Sequence, residues 1–154
     1  MYLGEKRKTV EILEKLRLLN YKSAFIYKIA LSKEKRLILK NFYYKLYRQK
    51  LDFVKEIEEK IELLKREISP IQDPKLLSFY QRKKYQLSHF YLKYKMQRYA
   101  DIHKRELKSF EKYSKYLSKV SHARVREVFL AHRHKVKTNI SDMNKMGVMK
   151  FPIA

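Results

Sequence analysis

The chain has 154 residues, enough for one domain of ordinary size with a real core, and its 45% hydrophobic content argues against disorder. Two glycines and three prolines leave few turn signals, which favours long helices and rules out a Gly-rich phosphate loop, and zero cysteines rule out disulfides, thiolate nucleophiles and Cys-ligated metal. The net charge of +22 points toward polyanions and is uneven: residues 1–76 hold 19 basic and 11 acidic side chains, residues 77–154 hold 19 and 5.

Residues 1–8 are polar and are expected as a flexible or partner-contacting tail; they lack the apolar core of a signal peptide. Thr9 is a candidate N-cap for a first helix with Ile12, Leu16, Leu19, Ile26 and Ala30 on one face, a stripe that passes through Ser23. Ser32 can cap a second helix that begins at Lys33 and Glu34 and runs to about Ile68. Its stripe is Leu39, Phe42, Leu46, Phe53, Ile57, Ile61, Leu64 and Ile68, with Gln49 inside it.

Ser69 to Pro74 is the strongest break, because Pro70 opposes helical geometry at Ser69 and Asp73 followed by Pro74 reads as N-cap and first helical residue. From Lys75 a helical pattern continues to Val120, too long for one straight element, so a kink or short connection is expected between roughly Lys95 and Asp101. No acid occurs between Pro74 and Ala100. There Arg82, Lys83, Lys84, Lys93, Lys95 and Arg98 interleave with aromatic residues such as Phe79, Tyr85 and Tyr91, a candidate surface for nucleic acid or anionic lipid. A solvated basic face is the plainer reading of the same run.

In the next segment Tyr99, Ile102, Phe110, Tyr113, Leu117 and Val120 form the apolar stripe, and Glu106 fills its gap. A carboxylate there must be hydrogen-bonded, paired, metal-bound or protonated, since an isolated buried charge costs several kcal/mol or more. Ser121 can cap a last helix with Val125, Phe129, Val136, Ile140 and Met143 as its stripe and His132 inside it; Gly147 ends it, and residues 148–154 form a second tail. No run approaches the roughly 20 apolar residues needed to cross a bilayer, and a cytoplasmic protein is expected.

Each of four amphipathic segments thus carries one polar residue in its stripe: Ser23, Gln49, Glu106 and His132. They are the expected interior polar network, most simply a structural one in which Glu106 and His132 pair. His103 stands one turn before Glu106 on nearly the same face, so Glu106, His132 and His103 are also candidates for a single divalent metal. No glycine-flanked nucleophile elbow, helix-turn-helix signature or zinc-finger spacing is present, so no catalytic residue is assigned.

The order of two helices, a basic and aromatic insertion and two further helices, with Glu106 ahead of Phe110, Tyr113 and Leu117, resembles the ferritin-like superfamily. In particular it is similar to a small bacterial branch of four-helix bundles in which a Glu on the third helix is followed seven residues later by a Tyr. Asp101 to Leu117, and less clearly Ser32 to Ile61, carry the resemblance. It implies an all-α, up-and-down four-helix bundle over residues 1–154, with an extra helical segment between the second and third helices and a metal-capable interior. The ligands depart from the pattern: a ferritin-like di-metal site takes two Glu-x-x-His pairs, and none occurs in this chain. The reading that follows is a non-catalytic binding or assembly protein without a cofactor, acting as a homo-oligomer. A metal-binding protein with a reduced ligand set and a polyanion binder that uses residues 75–98 are the alternatives.

Overall fold

The computed structural model describes residues 3–68 and 98–149, and every regular element among them is an α-helix, as the composition implies. The Ser69–Pro74 break, the extra helical segment with Arg82, Lys83, Lys84, Lys93 and Lys95, and residues 150–154 of the tail lie outside the described residues. The chain divides into two compact units, Met1–Lys95 and Met96–Ala154. In the first, α1 (Leu3–Lys33) packs on α2 (Leu37–Ile68); in the second, α3 (Tyr99–Leu117) packs on α4 (Ala123–Met149).

Each unit is an antiparallel helical hairpin, and side-chain contacts fix its register. In the first, Lys6 meets Glu67 at 3.3 Å, Arg17 meets Glu58 at 3.9 Å, and the Lys28 ammonium lies 6.0 Å from the centre of the Tyr47 ring. These pairs straddle the short turn at Glu34 to Arg36 almost symmetrically, which only antiparallel helices allow. In the second, Arg126 closes the turn: its guanidinium donates to the carbonyls of Leu117 and Val120, groups that the end of α3 leaves without intrahelical partners.

Two helix starts differ from the sequence expectation for one physical reason. A hydroxyl placed inside a helix donates back to its own preceding turn and caps nothing. Thus α1 begins at Leu3, ahead of Thr9, whose hydroxyl donates to the Glu5 carbonyl at 2.8 Å. Likewise the Ser32 hydroxyl donates to the Ile29 carbonyl at 2.7 Å, still within α1, and α2 starts later, at Leu37. The Glu34 carboxylate takes the place of the expected cap, accepting from the Arg36 backbone N–H at 3.1 Å. Helix α3 opens after an extended Arg98 (φ −99°, ψ 165°), within the window in which the long pattern was expected to break, and Asp101 accepts the Arg98 N–H at 2.9 Å. For α4 the cap is the His122 ring, which accepts from the Val125 N–H at 3.4 Å, and not Ser121; the helix then passes through Gly147 to Met149.

The buried positions follow a stricter rhythm than the apolar residues alone suggest. Those of α1 include Thr9, Leu13, Leu16, Asn20, Ser23, Tyr27 and Ala30, and those of α2 include Leu39, Tyr43, Leu46, Lys50, Phe53 and Ile57. In α3 the series is Tyr99, Ile102, Glu106, Ser109, Tyr113 and Tyr116, and in α4 Val125, Phe129, His132, Val136, Asn139 and Met143. Along these positions steps of three and four alternate, the 3.5-residue repeat of helices packed side by side with knobs in holes, and in α2 the alternation ends at Ile57, where Ile61 follows a second step of four. The residues expected in the stripes at Leu19, Phe42, Gln49, Phe110 and Ile140 are only half-buried, and their neighbours Asn20, Tyr43, Lys50, Ser109 and Asn139 take the seam.

Candidate functional site

The strict repeat places a series of polar side chains along the seam between α3 and α4, where they meet as rungs. The Asn139 amide donates to Glu106 Oε1 at 2.8 Å, with both residues buried. The Tyr113 hydroxyl and His132 Nδ1 lie 2.8 Å apart, and the two rings meet edge to face with centroids 5.5 Å apart. Phe129 packs its ring edge to face on Tyr113 as well, at 5.8 Å. Toward the start of α3, His103 Nε2 lies 2.9 Å from Asn144 Oδ1, and the Tyr99 hydroxyl donates to the Met143 carbonyl at 2.7 Å. Burial pushes the Tyr99 phenol up to about 12, because the phenolate has no water there to solvate it.

This register decides what Glu106, His132 and His103 can do together. The Glu106–Asn139 rung and the Tyr113–His132 rung are seven residues apart on both helices, two turns or about 10 Å along the axis. Glu106 and His132 therefore take different partners on different rungs. Metal ligands must converge within about 2.0–2.6 Å of one ion. Among the described residues no three of His, Cys, Asp or Glu gather closely enough to hold one, and so Glu106, His132 and His103 do not form such a group. Burial also limits other chemistry: Glu106 and His132 have no exposed surface, and a general acid or base must lie within hydrogen-bond reach of its substrate.

The other two residues of the expected network lie in the first unit. Ser23 is buried and its hydroxyl donates to the Leu19 carbonyl at 2.9 Å within its own helix. Gln49 is half-buried, and its amide oxygen accepts from Lys50 at 3.3 Å. Lys50 is the wholly buried member of that pair; its ammonium also stands 4.9 Å from the centre of the Phe53 ring, a cation–π contact. Of the basic residues named for polyanion binding, Arg98 is described, and it is exposed.

Sequence reasoning found Glu106, His132, His103 and Tyr113 but not the partners Asn139 and Asn144, nor buried Lys50 and Ser109. The available signal was the repeat itself: extending Val125, Phe129, His132 and Val136 by alternating threes and fours reaches Asn139, whereas seeking the next aliphatic residue reaches Ile140. No protein-family model, curated protein or solved structure matches the chain.

Proposed function

We propose that this chain is a non-catalytic helical protein that works by binding or assembly through its surface, akin to the ferritin-like bundles but with the interior carboxylate given over to holding the fold. The Glu106–Asn139 rung carries this reading. A carboxylate in the third-helix position of the family's ligands is met at 2.8 Å by an amide N–H, a donor that supplies no lone pair to a metal. The sealed positions of Glu106 and His132 support it further, since neither is open to a substrate. With the interior occupied in this way, partner recognition falls to a strongly basic exterior.

The test is elemental analysis of the purified protein before and after incubation with ferrous iron, manganese and zinc, with Glu106→Gln alongside. Glutamine keeps an oxygen for the Asn139 amide but removes the anionic ligand. We expect no stoichiometric metal in either protein and a Glu106→Gln variant that stays folded. Stoichiometric metal in the wild type that disappears in Glu106→Gln would place Glu106 in a working site and overturn the proposal.

A further inference from the structure

The turn end of the α1–α2 hairpin combines two features that the fold itself does not use. The first is charge. Apart from the buried Lys50, residues 21–50 hold eight lysines and arginines and one acid, Glu34, whereas the acidic residues of α1 and α2 otherwise lie toward the opposite end of the hairpin, at Glu5, Glu11 and Glu14 and from Asp52 onward. Glu34 is itself engaged: the Arg36 side chain bonds it at 3.0 Å and holds its carboxyl below the usual carboxylate range. Lys33, Lys35, Lys40 and Lys45 are all exposed around it.

The second is exposed apolar surface at the same place. Leu37 is 69% exposed and Ile38 57%, in the first turn of α2, and Tyr44, two turns from Leu37 on the same face, is 53% exposed. The ring of Tyr44 is braced by Tyr47, with centroids 6.5 Å apart. Adjacent aliphatic side chains standing in water at a turn, ringed by lysines, gain nothing from the packing of their own hairpin.

We infer that this tip, built from Leu37, Ile38 and Tyr44 within a ring of basic side chains, docks on the surface of an anionic lipid bilayer. The cations match the headgroup charge, and each one near a negatively charged leaflet adds attraction that salt screens. Leu37 and Ile38 enter the boundary of the acyl chains, the place where exposed aliphatic groups leave water, and Tyr44 sits at headgroup depth with its hydroxyl wet. Nucleic acid explains the charge but not the aliphatic pair, because phosphates and bases are met by cations and flat aromatic faces. Among the described residues no helix is long and apolar enough to cross a membrane, so the contact is peripheral. The inference rests on the reading that the protein works through its surface, but its test is independent of metal content.

The experiment is vesicle flotation of the full chain with liposomes of phosphatidylcholine alone and of phosphatidylcholine mixed with phosphatidylserine. It is repeated for Leu37→Ser/Ile38→Ser and, as a control in the second unit, Leu107→Ser/Leu130→Ser, which alters two other exposed leucines. Neither variant changes the net charge, and circular dichroism checks that both keep their helices. The expected result is binding to the phosphatidylserine vesicles alone, weakened about tenfold or more by Leu37→Ser/Ile38→Ser and left unchanged by the control. Three results overturn the inference: no binding to the phosphatidylserine vesicles, equal binding of wild type and Leu37→Ser/Ile38→Ser, or an equal loss in the control. Single-stranded DNA serves as competitor, and tight DNA binding that falls with Leu37→Ser/Ile38→Ser as much as vesicle binding does would assign the tip to nucleic acid instead.

Discussion

Glu106 and Asn139 show why a buried polar residue is best understood through its partner. A carboxylate removed from water is tolerable only when donors replace its hydration, and the Asn139 amide does so at 2.8 Å across the seam. Removing the donor is therefore costlier than removing both groups. Asn139→Leu takes the Asn139 donor away from the carboxylate, and we expect it to lower unfolding stability by about 2–3 kcal/mol, the order measured when a hydrogen bond to a charged group is lost. The double variant Glu106→Leu/Asn139→Leu, with no buried charge left to satisfy, should recover most of that loss. Chemical denaturation of wild type, both single variants and the double variant supplies the cycle that separates the pair from its surroundings. If the double variant were as unstable as the sum of the single ones, the rung would not be the unit that matters.

At the level of the helices, a strand of polar contacts sets the register of α3 on α4, and Tyr99 anchors its end. Its hydroxyl donates to the Met143 carbonyl, and its proton is held to about pH 12, against 10.0 for an ordinary tyrosine. The folded state thus binds this proton more tightly than the unfolded chain does. Its contribution is fully present below about pH 10 and is lost as the pH rises toward about 12. Tyr99→Phe, which removes the titrating group, should make the thermal midpoint fall less steeply across that window than in wild type; parallel profiles would show that Tyr99 ionises as freely folded as unfolded. The presence and order of the helices were legible because long amphipathic stretches with almost no Gly or Pro admit little else. The start of α3 after Arg98 fell within the window that the length argument gave. The seam was legible only in part: in a straight helix of 3.6 residues per turn a stripe drifts, and following apolar residues alone tracks that drift. Two helices that stay in contact keep the 3.5 repeat instead, at the cost of burying Lys50, Ser109 and Asn139 where Gln49, Phe110 and Ile140 stand next door. Ser109 even leaves its buried hydroxyl oxygen without a hydrogen-bond partner among the described residues. Partners across the seam cannot be assigned until that register is known, which is why Glu106 was found and Asn139 was not.

Taken over the whole chain, the dominant physical fact is charge of one sign. Residues Met1–Lys95 hold 24 basic and 11 acidic side chains and Met96–Ala154 hold 14 and 5, so each unit repels itself independently of the other. Partly exposed surface pairs such as Lys6–Glu67 add little against this, since surface ion pairs contribute about 0–1 kcal/mol and are screened by the same salt. The two effects predict opposite salt responses, which makes their balance measurable. At about 0.01 M salt the screening length is about 30 Å, comparable to a helix of this fold, and at about 0.1 M it is about 10 Å. Screening should therefore relieve the repulsion more than it weakens the pairs, and the thermal midpoint should rise by a few degrees between those conditions, equivalent to about 1 kcal/mol for a chain of this size. A midpoint that fell with salt would mean that ion pairs outweigh repulsion and that the charge pattern was arranged for stability. The expected rise carries the opposite meaning. A fold weakened by its own lysines draws no net stability from them, which leaves the basic surface available for the contact proposed at the hairpin tip, and the same salt that steadies the helices should loosen that tip from an anionic vesicle.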